Sequence, residues 1–101
     1  MKTLFVVNQI RGVAWDAAKS IRSQTLWEEH AAFMDQLTAE GFIVLGGPVG
    51  DPEGEAMLIV NAPDEETVKA TLAKDPWRQS GHLIQPKIQR WTIFLEAGKH
   101  S

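Results

Sequence analysis

Between Leu26 and Leu37 the apolar side chains recur at the spacing of one helical face. Leu26, Phe33, Met34 and Leu37 fall at i, i+7, i+8 and i+11, and His30 at i+4 shares their stripe. Glu28, Glu29, Asp35, Gln36 and Glu40 take the opposite face. Thr25 and Glu28 have capping-box spacing, which predicts a helix start there. Gly41 stands where a left-handed C′ residue would end the helix. Phe42 to Leu45 then reads as a short buried strand, stopped by Gly46-Gly47-Pro48.

The other segments follow from the same patterning. Thr3 to Val7, extending toward Ile10, is β-branched and aromatic and predicts a strand covered on both faces. Arg11 to Gln24 predicts a long connection. It is either a surface loop anchored by Trp15, with Asp16 capping a short turn, or a lid over a pocket. Val49 to Glu55, rich in Gly, Pro and acid, predicts a turn. Ala56 to Val60 is a third strand.

Asp64 is an N-cap for a second helix that buries Val68 and Leu72. Asp75-Pro76 ends that helix, because proline disfavours helical geometry in the residue before it. Trp77 to Gly81 reads as a loop. His82 to Leu95 is the last extended stretch, with Pro86 marking a sheet edge or a bulge. The last residues, from about Leu95 and above all Gly98 to Ser101, form a tail.

The order β-α-β-β-α-β predicts an α+β domain on the ferredoxin-like plan, an antiparallel sheet with both helices on one face. Strands one and three carry apolar residues on both faces. Leu4 and Val6 oppose Phe5 and Val7, and Met57 and Ile59 oppose Leu58 and Val60. The bare face of a monomer would expose a large apolar patch, which predicts a two-fold homodimer through that face.

Bulk properties narrow the functions. At 101 residues the chain is one domain with one core. The net charge of -3 offers no broad basic surface for nucleic acid or anionic lipid. No apolar run approaches the roughly 18–20 residues of a membrane span. Asn8, Gln9 and Arg11 interrupt the apolar opening too early for a signal peptide, so a cytoplasmic location is expected. The absence of cysteine removes thiolate chemistry and Cys-ligated metal sites. His30 and His82 would need a third ligand to hold a metal, and no metal motif is present. Neither a metal nor an organic cofactor is expected.

His30 is the residue that a plain core helix does not explain. It is either a satisfied core histidine or an acid–base group, the role its near-neutral pKa suits. Asp75 is either a local cap or the carboxylate that fixes the His30 tautomer. On parallel helices His30 would lie about 8 Å along the first and Asp75 about 15 Å along the second, so contact requires the chain to fold back. Trp27, Trp77 and Phe33 are either core or a stacking surface for an aromatic ligand. His82 either lines the pocket or decorates an edge, and His100 lies in the tail.

His30, the strand ending in Gly47-Pro48 and the block Asp75-Pro76-Trp77-Arg78-Gln79-Ser80-Gly81 together resemble the YCII-related (YciI-like) domain family. The resemblance runs from Thr3 to about Leu95. It implies a ferredoxin-like subunit in a dimeric α/β-barrel arrangement, with a pocket lined by a histidine–aspartate dyad. A family member removes chloride from a hydroxylated aromatic ring without metal or organic cofactor, and muconolactone isomerase has a similar architecture. Many members carry arginine three residues before the histidine. Here Trp27 stands there; if that arginine binds an anionic substrate group, this protein is expected to bind something less charged or to use Arg22 or Arg78 instead.

The expected function is a small cofactor-independent lyase or isomerase acting on a small, aromatic-type metabolite. His30 would be the acid–base and Asp75 its orienter. Trp27, Gly46, Gly47, Pro48, Pro76, Trp77 and Gly81 would shape the substrate site. The alternatives are a non-catalytic ligand-binding or accessory dimer, and a structural subunit of the kind fused to larger enzymes.

Overall fold

The computed structural model describes residues 3–50 and 54–98. Among these residues four strands, β1 (Leu4–Arg11), β2 (Ile43–Val49), β3 (Glu55–Asn61) and β4 (Leu83–Trp91), form one antiparallel sheet in the order β2-β3-β1-β4. Among the same residues three helices, α1 (Trp27–Ala39), α2 (Glu65–Leu72) and α3 (Pro76–Ser80), complete a small α+β domain. A single 3-10 turn at Ile21–Ser23 punctuates the long connection after β1.

Period-two alternation sorts the central strands. Phe5 lies opposite Val60 and Val7 opposite Leu58. These four side chains are buried with Leu37 of α1 and with Val68 and Leu72 of α2. Burial of Val68 and Leu72 contributes about 1.5–3 kcal/mol each. It holds α2, a helix of eight residues, too short to be stable alone. The Asp64 carboxylate caps it by accepting from the Thr67 N–H at 2.8 Å. The opposite sheet face carries Met57 and Leu45, the latter 66% exposed.

Several expectations are corrected. Thr25 and Glu28 form no capping box. α1 starts at Trp27 after Leu26, which adopts φ 66°, and no side chain caps it. The Thr25 carbonyl instead accepts from the Trp77 indole at 2.8 Å, so the tertiary contact sets how the chain enters the helix. The helix end is as the sequence indicates, with Gly41 at φ 81°.

β2 does not stop at Gly46-Gly47-Pro48 but runs through them to Val49, and beyond Ile43 it is exposed rather than buried. It is an edge strand, where proline costs no ladder bond. β4, the other edge, accommodates Pro86 where the pairing shifts between Asn8 and Ile10. Its pairing ends at Trp91, short of Leu95.

The stretch Trp77–Gly81 is a helix rather than a loop. Asp75 caps α3 by accepting from the Trp77 N–H at 2.9 Å, Pro76 occupies its first turn, and Gly81 closes it at φ 86°. The middle of the Val49–Glu55 turn and the end of the tail lie outside the described residues. Among the described residues no helix is long and apolar enough to cross a membrane.

Candidate active site

Asp75 comes to the site as the N-cap of α3, and His30 comes from the first turns of α1. The fold-back that their contact requires is supplied by α3, which packs on α1. His30 Nδ1 lies 2.8 Å from Asp75 Oδ1 and 3.0 Å from Oδ2. Asp75 has no exposed surface, and its Oδ1 also accepts from the Trp77 N–H. A carboxylate so placed accepts the Nδ1 proton and fixes the imidazole tautomer, leaving Nε2 as the basic nitrogen. Asp75 is therefore both a helix cap and a partner of His30, and the two sequence readings coexist.

Trp77 connects the pair to a wider aromatic cluster. Its indole is stacked on His30 with ring centroids 3.9 Å apart and planes 10° apart. It is nearly parallel to His82 as well, at 5.6 Å and 14°. Trp15 meets it edge-on at 5.2 Å, and Trp27 lies tilted at 5.7 Å. His82 is thus buried in the cluster instead of decorating an edge, with its Nδ1 2.6 Å from Ser80 Oγ. Burial, reinforced by the nearby charge of His30, holds the His82 imidazole below the usual histidine range.

A cavity of about 490 Å³ opens beside His30, between α1, the connection after β1, and strand β2. Such a volume suits a small metabolite. Trp27, Trp77, Gly46, Gly47 and Pro48 line it. Pro76 and Gly81 do not, and they serve as the ends of α3. Gly46 has a packing reason as well: a Cβ there would lie 2.6 Å from Leu58 Cδ2. Phe33 packs against the core and is not a stacking surface in the cavity.

Sequence reasoning missed several residues. Gln9 and Arg11 continue the inward face of β1 beyond Val7 and reach the cavity wall. The period of two was the available signal. The cation on that wall is Arg11, lying 4.1 Å from the centroid of the Trp15 ring, while neither Arg22 nor Arg78 lines it. Buried Gln24 was also missed. Its amide donates to the carbonyls of Asp16 and Lys19, at 2.7 and 3.1 Å, and accepts from the Asp16 N–H, tying down the connection that forms one side of the cavity.

Fold and site together define a small α+β domain whose cavity is lined by a histidine held from behind by a buried carboxylate. The family model of the YCII-related domain matches residues 1–92, and the chain belongs to that family. No curated protein matches the chain. Among solved structures it is similar to 5-chloro-2-hydroxyhydroquinone dehydrochlorinase from Burkholderia phenoliruptrix AC1100, in complex with 2,5-dihydroxybenzoquinone. That alignment has a TM-score of 0.66 and 22% identity, and it covers 88% of this chain and 93% of the other. At that identity the likeness speaks for the fold.

Proposed function

We propose that this protein is a small enzyme of the lyase or isomerase type, with His30 as acid and base and Asp75 as its orienting carboxylate. Its substrate is a small hydroxylated aromatic metabolite. The observation that carries this reading is the 2.8 Å contact between His30 Nδ1 and fully buried Asp75, on the wall of a metabolite-sized cavity. The dehydrochlorinase of similar fold supports the substrate class, since hydroxylated rings release protons that an imidazole can accept.

The chemistry is redox-neutral. In an elimination, neutral Nε2 takes a hydroxyl proton from the ring and returns it to the chlorine-bearing carbon. It then takes a second hydroxyl proton as the C=O bond forms and the C–Cl bond breaks. Chloride leaves, the imidazolium passes its proton to water, and the net loss is HCl. An isomerisation uses only the first exchange, moving one proton between two atoms of the substrate.

The same reading gives the protein a ferredoxin-like subunit that pairs with a second copy through the open sheet face. Leu45, Val49 and Met57, all at least 36% exposed on or beside that face, support it.

The direct test is chloride release from 5-chloro-2-hydroxyhydroquinone, alongside proton exchange into a panel of hydroxylated aromatics. Wild type turns over at least one of them, and His30→Gln loses about 100-fold or more, the usual contribution of one acid–base group. If the two proteins behave alike, His30 has no catalytic role. The cavity would then be a binding site only.

A further inference from the structure

We propose that Trp77 is a positioning residue for His30, whose indole face selects the protonated imidazole that proton abstraction creates. The inference deepens the acid–base reading given above, yet its test requires no turnover.

The indole is fixed from three sides. Its Nε1–H donates to the Thr25 carbonyl at 2.8 Å, its own backbone N–H donates to Asp75 at 2.9 Å, and Trp15 packs edge-on against it. Only 3% of Trp77 is exposed, so the ring has little freedom to turn. His30 therefore lies against a surface of set orientation, at a spacing of 3.9 Å and a tilt of 10°.

An aromatic face carries the negative lobe of the ring quadrupole, which attracts a cation and does little for a neutral ring beyond dispersion. The attraction is thus stronger after His30 has taken a proton than before. A contact of that kind lowers a barrier, whereas one equal in both states does not. Trp77 also explains why the Asp75 carboxylate serves two donors. The Trp77 backbone N–H and the His30 ring converge on Oδ1, so one residue fixes both the carboxylate and the platform.

Asp75 is the charged group in direct contact with His30. Arg11, Asp35 and Glu55 share the cavity wall. His82 lies nearly parallel to Trp77 and is held below the usual histidine range, chiefly by burial and then by the charge of His30.

The experiment is biosynthetic replacement of tryptophan by mono-, di- and trifluorinated analogues, which drain the ring face while keeping its shape. The pH at which the His30 ring protonates is followed by nitrogen NMR, and the same labelling is applied to Trp77→Phe as a control. Each fluorine lowers that pH, to a total of about 0.5–1 unit, the size of a partly desolvated cation–π contact. The graded response disappears in the labelled Trp77→Phe protein. A midpoint indifferent to fluorination overturns the proposal, as does a graded response that persists in Trp77→Phe. If that variant does not fold, labelled Trp27→Phe takes its place, because Trp27 is the other indole beside His30, and loss of the graded response there overturns the proposal. Failure of the acid–base reading is a separate result, seen as equal turnover by wild type and His30→Gln.

Discussion

His30 and Asp75, 45 positions apart in the chain, share a 2.8 Å contact because a five-residue helix begins at the aspartate and packs on the helix that carries the histidine. The carboxylate is spent twice, once on its own helix and once on the imidazole. Its two jobs can be separated.

Asp75→Asn separates them. Asparagine is as good an N-cap as aspartate, so its oxygen keeps the Trp77 N–H and the fold survives. Its amide nitrogen takes the place of Oδ2, 3.0 Å from Nδ1, and a neutral group replaces the carboxylate that orients the imidazole and stabilises its protonated form. Turnover is expected to fall by about 100-fold to 10,000-fold, with a thermal midpoint close to that of wild type. Near-native rates in a folded Asp75→Asn protein would remove the orienting role.

His82 predicts how the fold responds to acid. Its pKa in the folded protein lies below the 6.5 of an unperturbed imidazole, first through burial and then through the charge of His30. Below that value the unfolded chain binds a proton that the folded chain refuses. Stability from this group is therefore complete above about pH 7 and declines as pH falls from 6.5 through the folded value. Thermal melts at pH 8 and pH 5.5 should show wild type losing more than His82→Gln. Equal losses would mean that the buried imidazole is not the acid-sensitive group.

The open sheet face predicts self-association. Wild type should sediment as a dimer at micromolar concentration, and Leu45→Lys combined with Met57→Lys should sediment as a monomer. Both side chains are exposed in the single subunit, so the pair of charges costs the monomer little, about 0.5 kcal/mol or less at each site. A monomeric wild type would leave the apolar face without its second copy.

Much of the fold was legible because it rests on local rules. Gly41 closes α1 and Asp64 opens α2, each for a stereochemical reason that neighbours in sequence already satisfy. The missed α3 carried its own local signals, an Asp cap, a first-turn proline and a closing glycine around only five residues. A segment that short has no apolar period to read, so its punctuation alone reads as a loop. Thr25 failed in the opposite sense. Its spacing to Glu28 was correct for a capping box, but its carbonyl is committed to an indole 52 positions away.

The sequence by itself determined the order of the four strands and the two longer helices, the inward stripe of α1 and the presence of one out-of-place imidazole on it. Those properties depend on spacing along the backbone, which 3.6- and 2-residue periods convert directly into faces. Only the tertiary structure decided that Asp75 reaches His30, that Trp77 lies flat between neighbours instead of facing a ligand freely, that His82 is buried, and that Arg11 is the cation on the cavity wall. Each of these depends on distances between segments far apart in the chain. Such distances are set by how β2, β3, β1 and β4 line up and by where the helices land on them. No local period encodes that.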